Sequence, residues 1–182
     1  RDIYIKSMHY FLQAFNKRNP IYADILNYVS LGVLLNIPDN NFRQLIDYVK
    51  QMDKQAKPSG WTPDLLLWFM LNSRMKEQEK QKYAETLAYP RLYNGLYKVI
   101  QAPNAAAAKD ALCKYLDRWY NLNSNAPWYN SHLKDNSYRG YWAWEVAAVA
   151  KIMHIDDSDL KNNQYYPYDM VHWADNETTA KE

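Results

Sequence analysis

The stretch NFRQLIDYVKQM, residues 41–52, decides the fold class of this chain. Phe42, Leu45, Ile46, Val49 and Met52 recur at the spacing that places side chains on one face of an α-helix. Pro38-Asp39 marks the start, with Asp39 expected to cap the helix.

The same period continues outward in both directions. In AAAAKDALCKYLDRWY, residues 105–120, Ala108, Ala111, Leu112, Tyr115 and Trp119 form a second stripe, and the flanking alanines add strong helix propensity. Trp61-Thr62-Pro63-Asp64 reads as a helix opening, with Thr62 as cap, Pro63 in the first helical position and Asp64 facing the dipole. The LLLWFML that follows, residues 65–71, is apolar all round and belongs at the centre of a core. Further helices are expected over about 2–17, 20–37, 80–101 and 138–153, with Pro90 kinking or splitting the third. No segment alternates with period two. The expected fold is all-α, a compact multi-helix domain of about six to eight helices. Residues 1–60 read as an N-terminal helical region whose start is truncated, 61–175 as a C-terminal helical domain and 176–182 as a tail, packed as one compact unit.

Composition narrows the function classes. There are 22 Lys and Arg against 20 Asp and Glu, a net charge of +2, and no polybasic arm, which gives no footprint for nucleic acid. The 4 glycines include neither a GxGxxG nor a GxxxxGK phosphate cradle. Cys113 is the only cysteine, so no internal disulfide and no cysteine-based zinc site can form. His9, His132, His154 and His172 are scattered, without an HxxxH or HExxH pair, and no GxSxG nucleophile motif is present. Neither a metal nor another cofactor is expected. The longest apolar run, Leu65–Leu71, is far short of the roughly 20 residues of a membrane span. These features fit a cytoplasmic protein with no membrane partner.

The charge is unevenly distributed. Residues 156–182 carry a net −5 and the preceding residues a net +7. Asp156, Asp157 and Asp159 open the acidic part as an exposed turn. Upstream, the polar segment 121–137 is long for a connection within a compact domain and contains Trp128 and Tyr129. Exposed aromatics anchor interfaces and charges steer encounter, so these five residues are the expected partner-binding set. The ordinary alternative is that Trp128 and Tyr129 tuck under the loop while the acids cap a short helix.

Glu145 is the one charge between Gly140 and Lys151 in RGYWAWEVAAVAKI, residues 139–152. On a continuous helix it would share a stripe with Tyr138, Tyr141, Trp142, Ala148, Val149 and Ile152. A carboxylate there must be paired or protonated. A structural role, with donors drawn from Arg139, tyrosine hydroxyls, tryptophan indoles or His172, outweighs a catalytic one. Downstream, YYPYDMV, residues 165–171, reads either as a cage of aromatic rings for a ligand or, the favoured reading, as an aromatic plug held extended by Pro167, with Asp169 bonding locally to fix the turn.

APWYNSH, residues 126–132, followed by YRGYWAWEVAAVAKIMHIDDSDLKNNQYYPYDMVHW, residues 138–173, closely resembles the C-terminal domain of the PoNi immunity proteins. YPRLYNGLYKVIQAPNAAAAKDALCKYLDRWY, residues 89–120, is similar to the helices before that signature. The resemblance implies an all-helical, non-enzymatic inhibitor that binds a cognate secreted toxin. Such proteins are typically encoded beside the toxin, which is often a type VI secretion effector, and the family's named partner is a nuclease toxin. The signature residues map onto Tyr141, Trp142, Glu145, Tyr166, Pro167 and Asp169, read here as scaffold. An inhibitor that masks a basic nuclease cleft is expected to be acidic. With +2 overall, either the acidic segment after Ile155 faces the toxin or the toxin is not a nuclease. The competing functions are a helical enzyme using Glu145 as acid or base, and an adaptor for a different partner.

Overall fold

The computed structural model describes residues 1–15, 21–55, 61–134 and 140–173. Tyr138, Arg139 and the tail 176–182, which entered the reading above, lie outside them. The described residues are all-α, with eight α-helices joined by turns and three single-turn 3-10 segments. They are α1 (Asp2–Phe15), α2 (Tyr22–Leu34), α3 (Asp39–Lys54), α4 (Leu65–Asn72), α5 (Pro90–Ile100), α6 (Ala105–Leu122), α7 (Trp144–Ile152) and α8 (Tyr168–Val171). Two compact units result, with a division between Ala88 and Tyr89 and with Trp173 counted in the first.

In the first unit, α3 buries Phe42, Leu45, Ile46, Val49 and Met52, the stripe expected from the period. It packs with α1 and α2, and α2 packs with α4. Asp39 is the first helical residue, not the cap. Pro38 holds the cap position without a side-chain bond, and the Asp39 carboxylate turns instead to Arg74 at 2.5 Å. The opening of α4 also differs from expectation. Asp64, not Thr62, is the cap, because its extended backbone aims Oδ1 at the Leu67 N–H, 2.7 Å away.

Asp64 does more than cap. It is 1 % exposed, accepts from the Tyr22 hydroxyl at 2.8 Å and takes the Ala88 N–H on its other oxygen at 2.7 Å. One carboxylate thus ties α4 to α2 and to the end of the irregular segment 80–89. A second hub is Asp53, on the last turn of α3. It accepts from the Trp61 indole at 2.8 Å, the Trp68 indole at 2.7 Å and the Tyr83 hydroxyl at 2.8 Å. These bonds supply the polar tips that tryptophan and tyrosine must satisfy when their rings are buried.

Residues 80–89 are not helical, which corrects the expected helix over 80–101. Pro90 has no N–H to continue a helix from behind, so it stands in the first helical position and starts α5. In the second unit α5 packs along α6. Gly95 makes the contact close: a Cβ there would sit 2.6 Å from the Tyr115 ring. Asn104 caps α6 by accepting the Ala107 N–H at 2.9 Å, and α6 buries Ala108, Leu112, Tyr115, Leu116 and Trp119.

The helix expected over 138–153 begins only at Trp144. Residues 140–143 are not helical, and the Ala143 N–H donates to the Tyr165 carbonyl at 2.9 Å. The Ala143 amide is thereby bonded to a remote strand of chain and not to a preceding turn. Tyr141 and Trp142 therefore leave the helical stripe that sequence spacing assigned them.

Candidate partner-binding site

The second unit contains a groove of about 300 Å³ lined by Trp142, Trp144 and residues 161–164 and 166–170. Its walls are the non-helical entry to α7 and the YYPYDMV segment. Each wall is held from behind. Glu145, one residue past Trp144, is 6 % exposed and accepts the Trp119 indole N–H at 2.6 Å. Burial pushes its carboxyl up to about 7, against the opposing effect of its own backbone N–H and the indole. The Glu145 partner is thus one of the tryptophans, while His172 is engaged elsewhere.

The opposite wall hangs on Asp157. This residue is 4 % exposed, accepts the Tyr166 hydroxyl at 2.7 Å and lies 3.0 Å from His172 Nε2. Tyr166 and Pro167 are buried, as the plug reading requires, but the carboxylate that anchors the plug is Asp157. Asp169 is exposed on the first turn of α8 and has no such bond among the described residues. The expectation that Asp157 faces solvent with its neighbours is corrected by the same bonds. A carboxylate satisfied by a tyrosine and a histidine is drawn inward. Asp156 and Asp159 do remain exposed, and both meet Lys109 Nζ at 2.8 Å. Lys109 and the Ser158 groups hold the Asp156 carboxyl down to about 2.

Trp128 and Tyr129 are half-buried in an aromatic cluster. Trp128 stacks on Trp119 with centroids 5.5 Å apart and planes within 18°, and Tyr120 stacks on Tyr165 at 5.1 Å and 2°. Tyr129 lies against Tyr120 at 4.6 Å, and Tyr141 against both Tyr120 and Trp128. The Tyr141 hydroxyl accepts the His132 N–H at 2.9 Å and lies 3.1 Å from Ser131 Oγ. Asn130 makes the loop turn in the left-handed region at φ 56°, its Oδ1 accepting the Tyr120 hydroxyl at 2.8 Å. These contacts hold the loop against α6 and leave Trp128 and Tyr129 partly exposed.

The groove brings together Trp142, Tyr166, Pro167 and Asp169, read from the sequence as scaffold, and leaves the expected contact residues Trp128, Tyr129, Asp156, Asp157 and Asp159 outside its lining. Trp144, Lys161, Tyr168 and Met170 line it without having been singled out from the sequence. One signal was available. Gly140, a poor helix former, stands just before Tyr141-Trp142-Ala143 and marks these residues as a start outside the helix. Gly140 serves that arrangement, since a Cβ there would lie 2.5 Å from Trp142 Nε1.

The groove offers aromatic surface to solvent. Trp142 is 43 % exposed, and the ring centroids of Trp142 and Trp144 are 5.9 Å apart. Tryptophans in concave settings are frequent interface anchors. Glu145 is shut away behind the wall and is absent from the lining. Among the described residues no group of three or more His, Cys, Asp or Glu is placed to hold a metal, and no helix is long and apolar enough to cross a membrane.

Residues 62–170 match the family model described as PoNe immunity proteins (PoNi), C-terminal. The matched span takes in the end of the first unit and nearly all of the second. No curated protein and no solved structure matches the chain.

Proposed function

The chain belongs to the PoNi family of immunity proteins, and from that premise we propose that it binds and neutralises one cognate PoNe-type toxin in the bacterial cytoplasm by covering the toxin's active site. The toxin fits a type VI secretion effector with nuclease activity. The observation that carries the reading is the family match over a span that ends in the groove-forming segment. The groove supports it physically: Trp142 is exposed in a concave lining beside Trp144, and tryptophan, with two side-chain torsions, gives large contact area at low entropic cost on docking. Asp156 and Asp159 supply exposed carboxylates on a rigid turn for steering a basic partner.

The enzyme alternative has less support. Glu145 has a carboxyl raised toward neutrality, as general acids do, but its neighbours are an indole and its own helix N-terminus. No substrate-sized space reaches it through the groove lining. The test is co-expression with the product of the adjacent gene. Wild type should protect cells from that product and co-purify with it as a defined complex. Survival that is no better with this chain than without it, together with no complex, rejects the immunity reading.

A further inference from the structure

The groove has a chemical preference that the family membership does not specify. Four described carboxylates fall in the acid-rich stretch after Ile155. Asp156 and Asp159 are bound to Lys109, and Asp157 to Tyr166 and His172. Asp169 is the fourth, and it is exposed, lines the groove and has no ion pair or hydrogen bond among the described residues. Asp169 is thus an exposed carboxylate without an ion pair among the described residues, in a groove that Trp142, Trp144 and Tyr168 also line.

Ring faces carry a negative quadrupole and attract cations, and indole does so most strongly. A free carboxylate beside such faces favours the same ligand. A guanidinium satisfies both, because its planar group stacks on a ring while its edge donates two hydrogen bonds to a carboxylate. An ammonium can do only one of these well. Lys161 also lines the groove and opposes any cation there, which makes the expected affinity sensitive to it in the reverse sense.

We propose that the groove formed by Trp142, Trp144, Tyr168 and Asp169 receives an arginine side chain presented by the toxin. The identity of the partner rests on the immunity reading; the arginine preference rests on the groove alone.

Two arms test these separately. In the first, acetyl-Gly-Arg-Gly-amide is titrated into the protein while the tryptophan indole N–H signals are followed by NMR, with the Gln peptide as control. The Arg peptide should shift the Trp142 and Trp144 signals saturably and the Gln peptide should not. Asp169→Asn should weaken binding by about 3–10-fold, Trp142→Ala by about 2–5-fold, and Lys161→Ala should strengthen it by about 2-fold. Equal shifts by both peptides, or an Asp169→Asn variant that binds as wild type does, overturns the arginine preference. Asp169 is exposed, so this arm stands even if Trp142→Ala folds poorly.

In the second arm, the Trp142→Ala/Asp169→Arg double variant is co-expressed with the toxin, its fold checked by circular dichroism. A folded double variant that no longer protects supports the toxin as occupant. Full protection with undiminished co-purification overturns the toxin as occupant while leaving the immunity reading intact. Failure of wild type itself to protect overturns both, and the peptide arm still reads the groove by itself.

Discussion

Replacing Glu145 by glutamine should make stability less dependent on pH. The carboxyl is buried and its proton is held up to about 7, against an ordinary glutamate near 4.5. The folded chain therefore binds this proton more tightly than the unfolded chain does. The stabilisation from protonation is present at acid pH and is lost as pH rises from about 4.5 through about 7. Between pH 5 and pH 8 the loss comes to about 2–3 kcal/mol. Glutamine keeps an acceptor for the Trp119 indole, 2.6 Å away, and carries no charge at any pH. Urea unfolding of wild type and Glu145→Gln at both pH values isolates the effect, since other titrating groups cancel in the difference. The variant should gain about 2–3 kcal/mol relative to wild type on going from pH 5 to pH 8. For a chain of this size that is a relative shift of roughly 5–10 °C in melting temperature. A difference between the two proteins that stays constant within about 0.5 kcal/mol across the range would refute the reasoning. Glu145 would then be ionised throughout, held by donors strong enough to cancel its burial.

Gly95→Ala tests the close approach of α5 to α6: an exposed helical Gly→Ala change would stabilise, but a Cβ placed 2.6 Å from the Tyr115 ring should destabilise by about 1–3 kcal/mol, and a raised melting temperature would contradict the packing. Asp157→Ala should cost roughly 2–4 kcal/mol in urea unfolding because the buried Tyr166 hydroxyl loses its acceptor, whereas Asp156→Lys should melt within about 1–2 °C of wild type. Equal melting of these two variants would remove Asp157 as the anchor of the groove wall. Asp53→Ala leaves two indole N–H groups and a tyrosine hydroxyl without their acceptor and should lower stability by roughly 2–4 kcal/mol, read by differential scanning calorimetry; a loss under about 0.5 kcal/mol would show that water replaces the carboxylate.

The fold class was legible in the chain because α-helices are local. The 3.6-residue period of Phe42, Leu45, Ile46, Val49 and Met52 and the stripe of α6 follow from hydrogen bonds four residues apart; the first is buried throughout, and the second is buried except at Ala111, with Leu116 added to it. The signature of the family is equally a property of linear order, and its match places the chain among the immunity proteins. Helix ends were less legible. Whether Thr62 or Asp64 caps α4 depends on which side chain finds distant donors, and Tyr22 and Ala88 settle it for Asp64. The same holds at α7, where the bond from Ala143 to the Tyr165 carbonyl ends a helical stripe that periodicity alone extends to Tyr138. Charge was the least legible feature. Asp156, Asp157 and Asp159 are alike in sequence, yet two lie on the surface with Lys109 and one is sealed beneath Tyr166. A carboxylate's role is set by the donors that reach it in space, and those donors come from residues far away along the chain.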